Sequence, residues 1–233
     1  MRELKILAVV VALTLITYWG VEPFAHSQMH PHVAPADFAF TDVKEDVADV
    51  KALKGNVANG ETLITSNCTA CHSIESKGFP KIMDNTSSAA AYGVTPPDLG
   101  TAGKLYNPDY LAAFIKNPAK ASKVEHKYID GKVHPMPNFD WMQAQEIADM
   151  VAYLQSIAPK EMTNKETFEN ACQRCHSIKY ADMKNGTMAA FTPKDDIKKY
   201  MGKLPPDLSQ HIRSRGHEYL ETFINNPQKQ LEG

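Results

Sequence analysis

A five-residue pattern, Cys-x-x-Cys-His, occurs twice in this 233-residue chain and constrains it more than any other feature. The copies lie at 68–72 and 172–176, and together they contain all four cysteines. This pattern is typical of covalent attachment of a c-type haem. Two thiols one helical turn apart can each bond a vinyl group of one porphyrin, and the next histidine then binds the iron from below. The sequence therefore predicts two c-type haems, held by Cys68 and Cys71 and by Cys172 and Cys175, with His72 and His176 as proximal iron ligands.

Three other uses of paired cysteines fit the sequence less well. A structural zinc site requires two close Cys-x-x-Cys pairs, typically ~15–20 residues apart, whereas 100 residues separate Cys71 from Cys172. A thioredoxin-like redox pair requires a βαβ context, which the sequence does not show. Two local disulfides would leave both histidines without a role.

Composition is that of a globular protein without a nucleic-acid partner. The chain is 43% hydrophobic and 22% charged, which is ordinary for a folded protein. Its formal net charge is −2, whereas nucleic-acid-binding proteins normally carry a basic excess. We therefore expect no nucleic acid among its partners.

The N-terminus predicts a membrane segment. Residues 6–21 form an uncharged apolar run that follows Arg2 and Lys5 and precedes Glu22. A membrane span needs ~20 apolar residues, so this run is short. A cleaved signal peptide is the alternative, but no clean small-x-small cleavage site follows the run. We favour an uncleaved anchor at 1–25, and its basic start places the rest of the chain outside the cytoplasm.

Residues 26–55 are predicted to be a linker, and the histidine-rich tract at 26–32 is assigned to it rather than to a metal site. The protein is therefore expected to cross the cytoplasmic (inner) membrane once and to carry its haem domains in the periplasm.

Both haem motifs lie in a duplicated unit. The segment PPDL at 96–99 recurs at 205–208, and YLAAFIKNP at 110–118 recurs as YLETFINNP at 219–227. The haem motifs are 104 positions apart and the later segments 109, so the second copy has five extra residues between them. Matching order and near-matching spacing predict two copies of one unit, at 56–159 and 160–233.

Each copy is predicted to be small and helical. Helices are expected at 60–67, leading into Cys68, at 107–117 and at 143–157, the last with Ile147, Val151 and Leu154 on one face. Thr163 and Glu166 form a capping box ahead of the second haem motif. No segment alternates as a β-strand.

Met136 is the predicted sixth ligand of the first haem iron. It lies in the sequence HPMP at 134–137, between two predicted helices. The flanking prolines reduce the entropy lost in fixing the thioether over the iron. Met142 and His134 are the alternatives, and the methionine that does not bind iron is expected to pack.

In the second copy, the loop that corresponds to Met136 would lie beyond Gly233. We favour the interpretation that the sequence is a shortened copy of a longer chain, because the repeat is faithful until it stops. The alternative is an iron that is left open or is bound by another side chain, with these candidates: Met188, Met201, His211 and His217.

The tandem haem motifs, the PPDL segments and the Met-Pro loop resemble class I cytochromes c in a di-haem arrangement. The N-terminal block YWGVEPFAHSQMHP at 18–31 is similar to that of the di-haem cytochrome c subunit of bacterial quinol–cytochrome c reductases, the bc-type complexes. The resemblance implies an all-α fold, with an N-terminal transmembrane helix followed by two tandem class I cytochrome c-like domains, the second incomplete.

The same resemblance implies electron transfer without a catalytic site of the subunit's own. Its partners would be cytochrome b and the Rieske iron–sulfur subunit, which oxidises quinol and passes one electron to this subunit. The two haems would relay that electron to a soluble periplasmic cytochrome c or to an oxidase. Rival interpretations are the di-haem subunit of a haem-copper oxidase and a di-haem peroxidase-like enzyme, the latter disfavoured if Met136 closes the iron.

Overall fold

The computed structural model describes residues 2–29, 46–129, 131–184 and 186–225. These residues are mostly helical and contain no β-strand, apart from two isolated bridges, Ile74 with Phe79 and Ile178 with Met183. They fall into two compact units, one of residues 46–209 and one of residues 2–29 with 210–225. The predicted all-α fold is confirmed, as is the apolar helix at its N-terminus.

The helices are numbered in chain order. They are α1 (Arg2–Ile16), α2 (Glu22–Met29), α3 (Ala48–Lys51), α4 (Val57–Asn67), α5 (Asn85–Tyr92), α6 (Ala102–Leu105), α7 (Pro108–Lys116), α8 (Pro118–Ala121), α9 (Ala144–Ile157), α10 (Asn164–Ala171), α11 (Thr187–Phe191), α12 (Lys194–Met201), α13 (His211–Arg215) and α14 (His217–Asn225). Single 3₁₀ turns lie at Glu75–Lys77, Glu125–Lys127 and Lys179–Ala181.

Helices α1 and α2 are joined by a π-helical turn at Thr17–Val21. The Glu22 N–H donates to the Thr17 carbonyl, five residues back, just before Pro23. Proline has no N–H for the regular ladder, and a π turn is one way to accommodate it. Within the described part of the chain, Arg2–Gln28 is the helix long and apolar enough to cross a membrane, and a signal sequence meets the same criterion.

The crossing of α4 and α9 forms the core of the larger unit. Ile147, Val151 and Leu154 are buried, as their spacing predicts. Gly60 lies at the crossing, where an added Cβ would collide with the Asp149 backbone carbonyl and the Tyr153 side chain. The two backbones can therefore approach closely only because residue 60 has no side chain.

A buried carboxylate ties α4 to α9. Asp149 accepts hydrogen bonds from the Asn56 N–H at 2.6 Å, the Asn59 amide at 2.6 Å and the Gln145 amide at 2.7 Å. Asn56 is also the N-cap of α4, since its side chain accepts from two N–H groups of the first turn. Asp149 thus fixes the start of the helix that leads into the first haem motif.

The predicted linker at 26–55 differs from the structure at both ends. Residues 26–29 continue the N-terminal helix, and the stretch 30–45, with His30 and His32, lies outside the described residues. Val47 and Val50 are buried in the core of the larger unit, and Lys116 pairs with Asp49 at 2.8 Å. Two valines three positions apart form an apolar helical face, although the surrounding composition resembles a linker.

In the second copy, α10 begins at the predicted capping box. The Thr163 hydroxyl accepts from the Glu166 N–H at 3.2 Å, and the Glu166 carboxylate accepts from the Thr163 N–H at 2.7 Å. Between its haem motif and its PPDL segment the second copy has two helices, α11 and α12, where the first copy has only α5. The predicted boundary at 160–233 also differs, because residues 160–209 group with the first copy and 210–225 do not.

Candidate haem-binding site

The first Cys-x-x-Cys-His block continues α4 by one turn. The N–H groups of Cys71 and His72 both donate to the Cys68 carbonyl, at 3.1 and 2.8 Å. This turn places both sulfurs and the imidazole on the wall of one cavity. Burial raises the pKa of the Cys68 thiol to about 12, and the neighbouring Cys71 adds to this rise. The first thiol is therefore held protonated in an apolar setting.

The alternatives to haem attachment find no support in the structure. All four cysteines are free thiols, so the local disulfides are not formed. No cluster of three or more His, Cys, Asp or Glu side chains suited to a metal ion occurs among the residues that the structure describes. A zinc site built from either cysteine pair would need such a cluster.

The hydrogen bonding of His72 leaves one ring nitrogen available to bind a metal. Its Nδ1 lies 2.7 Å from the Pro97 carbonyl, which can only accept, so the ring proton lies on Nδ1. The Nε2 lone pair is then free for iron, and the hydrogen bond to Pro97 fixes the orientation of the ring. Burial lowers the pKa of His72, with the Pro97 bond opposing this shift, so the imidazole is neutral as a ligand must be.

The PPDL segment carries that acceptor and clamps it in place. The Leu99 N–H donates to the Ser73 carbonyl at 2.8 Å. The Asp98 carboxylate accepts from the N–H groups of Glu75 and Gly100, both at 2.8 Å. From sequence this segment served only to mark the repeat. In the structure this segment holds the carbonyl that accepts the His72 hydrogen bond. The sequence signal for its turn was an Asp two residues before a Gly.

The same geometry occurs around the second motif. The His176 Nδ1 lies 2.9 Å from the Pro206 carbonyl, and the Leu208 N–H donates to the Ser177 carbonyl at 2.8 Å. Asp207 takes the place of Asp98, and the Ser177 hydroxyl is the main cause of its lowered pKa. The arrangement that orients His72 is therefore present twice.

The cavity beside His72 has a volume of about 270 Å³. Its apolar walls include Ile64, Leu99, Leu111, Phe114, Ile115, Phe139 and Leu154. Met136 lies on the same wall, whereas Met142 is buried in the helical core away from this cavity. The structure thus brings Met136 and His72 together and gives Met142 a packing position. Ligation of iron by Met136 stays a prediction.

His134 holds the Met136 loop. The His134 Nδ1 lies 3.1 Å from both the N–H and the carbonyl oxygen of Met136, a contact that either tautomer of the ring can make. The His134 Nε2 is buried without a hydrogen-bond partner among the described residues, and burial also lowers the pKa of this histidine. The ring lines the cavity, with its edge toward Phe114 and Tyr128.

The donor set of this cavity fits a c-type haem. Two free thiols, a neutral imidazole and a thioether line one apolar space, and the unpartnered Nε2 of His134 belongs to a residue of the same wall. These are the attachment groups, candidate iron ligands and dry surroundings that such a haem requires. The carboxyl groups of a haem would supply a hydrogen-bond partner of the kind that the His134 Nε2 lacks among the described residues.

The second copy contributes to the wall of the first cavity. Its contributions are Asn170, Arg174, Met188 and Tyr200. An Arg174 Nη donates to the Thr95 carbonyl at 2.7 Å, and the Lys127 ammonium donates to the Tyr200 carbonyl at 3.1 Å. Sequence reasoning treated the copies as separate and missed these residues. The sequence signal for Tyr200 was the five extra residues between the haem motif and the PPDL segment of the second copy, because α12, which carries Tyr200, lies in that interval.

The sixth-ligand candidates of the second copy are in different settings. Met188 is buried, and its sulfur lies 3.6 Å from the Cys175 sulfur. Met201 is exposed at the end of α12. His211 and His217 begin α13 and α14, outside the larger unit. These positions do not single out one of the four as a ligand.

The first copy is similar to known cytochromes c. Residues 57–158 match the family model described as Cytochrome c. A similar protein, "Cytochrome c-553-like" from Synechocystis sp., is 26% identical over 125 residues, which cover 54% of this chain and 91% of that protein. No solved structure matches the chain. Residues 57–158 are thus a cytochrome c domain, which implies a covalently bound c-type haem and haem-based electron transfer.

Proposed function

We propose that this protein is a membrane-anchored di-haem cytochrome c. In this proposal it relays electrons from the iron–sulfur subunit of a quinol–cytochrome c reductase to a periplasmic cytochrome c or an oxidase. The observation that carries the di-haem assignment is the repeated proximal geometry, His72 to Pro97 and His176 to Pro206. A second imidazole with a fixed tautomer, directly after a pair of free thiols, has the same use as the first.

In this proposal the side chains would hold the haem and shield it from water. A bound haem supplies a one-electron iron couple whose potential the axial ligands and surroundings set. Cys68 and Cys71 would hold the haem covalently, His72 and Met136 would bind its iron, and the apolar wall would exclude water. Low polarity disfavours the more highly charged oxidised form, as does a methionine ligand, so both raise the potential. No proton transfer or covalent step by the protein is required.

The haem count tests the di-haem assignment directly. Full-length protein, stained for haem after denaturing electrophoresis and quantified as the pyridine haemochrome, is expected to carry two haems per chain. Replacing Cys172 and Cys175 with alanine should leave one. A wild-type count of one would overturn the assignment. The mass of the mature chain tests the anchor, because removal of the first ~25 residues would show a signal peptide instead.

The axial ligand is tested by carbon monoxide binding to the reduced protein. In a Cys172→Ala, Cys175→Ala background, which would carry only the first haem, Met136→Ala should open the iron and bind carbon monoxide, while the background itself and the matched control Met142→Ala should not. If Met136→Ala stays closed and His134→Ala opens, histidine is the ligand. The outcome separates an electron carrier from an open-haem peroxidase, which needs a vacant position on the wild-type iron.

The partner is tested by isolation from membranes under mild detergent. A tagged chain is expected to co-purify with a cytochrome b and a Rieske protein, and its haems should be reduced on addition of a quinol. Co-purification with haem-copper oxidase subunits in their place would overturn the reductase assignment and leave the di-haem assignment intact.

A further inference from the structure

One side chain of the second haem motif reaches the cavity of the first. Arg174 lies between Cys172 and Cys175 and lines the cavity that contains His72 and Met136. One Nη donates to the Thr95 carbonyl at 2.7 Å. Its Nε is buried, and no hydrogen-bond partner for it occurs in the described part of the chain. The guanidinium therefore has a fixed position and an unused donor at this cavity.

The contact falls on the segment that orients the proximal histidine. Thr95 is fully buried and lies two residues before Pro97, whose carbonyl accepts from His72. A hydrogen bond to Thr95 therefore restrains the start of the same short stretch of backbone. In this way the attachment loop of the second motif is joined through one side chain to the proximal loop of the first.

The charge of Arg174 is poorly compensated. Among the described residues, no carboxylate forms a salt bridge with it. A guanidinium remains protonated at any pH the protein meets. In a partly buried position its field is screened less than that of a surface charge. A packed contact supports this position, since Val94 of the first copy and Met188 and Ile197 of the second form a small buried cluster.

We infer that the fixed positive charge of Arg174 raises the reduction potential of the first haem. Reduction lowers the charge of the iron by one, so a fixed positive charge beside its proximal ligand favours the reduced state. This inference rests on the proposed function, because it requires haem at the first motif. It makes the two copies functionally unequal, with the second copy adjusting the first.

The test compares charge loss with charge retention at one position. Arg174→Gln removes the charge, Arg174→Lys keeps it, and Lys165→Gln is the control that removes an exposed positive charge of the same copy, whose side chain is 73% exposed. The reduction potentials of both haems are measured by spectroelectrochemical titration. The couple of the first haem is identified as the one that is missing from a variant with Cys68→Ala and Cys71→Ala. Haem count and thermal unfolding are recorded for every variant.

Arg174→Gln should shift the first reduction equilibrium toward the oxidised form by on the order of tenfold, equivalent to ~59 mV for a one-electron couple. Arg174→Lys should change it by less than about threefold, and Lys165→Gln by less than about twofold. An unchanged first couple in Arg174→Gln refutes the inference, as does an equal shift in Arg174→Lys, which would assign the effect to shape.

A second uncharged variant keeps the test decisive if Arg174→Gln fails to fold. Arg174→Met replaces the guanidinium by an unbranched apolar side chain without charge, and it should give the same shift as Arg174→Gln. If the wild-type protein carries only one haem, the di-haem proposal fails, but the shift of the remaining couple still decides the role of Arg174. The two failures are therefore distinguishable.

Discussion

Removal of the Asp149 carboxylate should loosen the helix crossing that supports the first haem motif. Asp149 is 2% exposed and accepts three hydrogen bonds. A buried donor left without an acceptor costs about 1–3 kcal/mol. In Asp149→Ala the exposed side chains of Asn59 and Gln145 can turn to water, whereas the Asn56 N–H is fixed by its backbone. We therefore expect a loss of about 2–3 kcal/mol in the free energy of unfolding rather than the sum of three full penalties.

The pH dependence of this effect has a defined sign. Burial raises the pKa of Asp149, but the hydrogen bonds from Asn59, Asn56 and Gln145 outweigh it, so the pKa in the folded state is lowered. A lowered folded-state pKa gives stability that is complete above the unfolded value of ~3.9 and is lost as pH falls through the folded value. The difference between wild type and Asp149→Asn should therefore be largest near neutral pH and shrink in acid.

The assay is urea unfolding at pH 7 and at a pH below ~3.9, followed by far-ultraviolet circular dichroism and by haem absorbance. Asp140→Asn is the matched control, because Asp140 is exposed and its loss should stay within about 0.5 kcal/mol. The reasoning fails if Asp149→Ala is as stable as that control, or if the deficit of Asp149→Asn grows as the pH is lowered.

Three further substitutions test separate features. Gly60→Ala should cost about 1–3 kcal/mol in urea unfolding despite the helix preference of alanine, because the added Cβ meets the α9 backbone. The control Glu61→Ala, at an exposed position, should be near neutral. Equal stability of the two variants would contradict the close crossing. Met142→Ala should cost about 2–5 kcal/mol and leave the haem absorption spectrum unchanged, and a spectral change would instead make Met142 a ligand. Thr163→Ala should cost about 1 kcal/mol by the same unfolding assay, with Thr163→Ser restoring most of it, and no loss would mean that the capping box is not formed in solution.

Local signals in the sequence predicted local structure well. The capping box at Thr163, the helix entering Cys68 and the apolar stripe of α9 depend on neighbours within a few residues, so they can be read from spacing alone. Met136 of the HPMP loop lines the cavity, where two prolines leave a short loop little freedom, and its ligation of iron stays a prediction.

Long-range contacts could not be predicted in this way. The bond from Arg174 to Thr95 joins residues 79 positions apart, and nothing in either local sequence specifies it. Val47 and Val50 were assigned to a linker because burial of so short a helix depends on α9, about 100 residues further on. The PPDL segments were visible as a repeat, but the role of their proline carbonyls depends on a histidine that is distant in sequence.

The Nδ1–H of His72 donates to the Pro97 carbonyl, and that of His176 donates to the Pro206 carbonyl. Both acceptors belong to the main chain and not to side chains. A carbonyl is present whichever amino acid occupies a position, so no single substitution at either site can delete the acceptor. The orientation of each imidazole is thus encoded by the path of the backbone and is shielded from mutational drift. Over evolution, the two copies can diverge in their surroundings while each keeps a proximal imidazole with its Nδ1 held by the same main-chain acceptor.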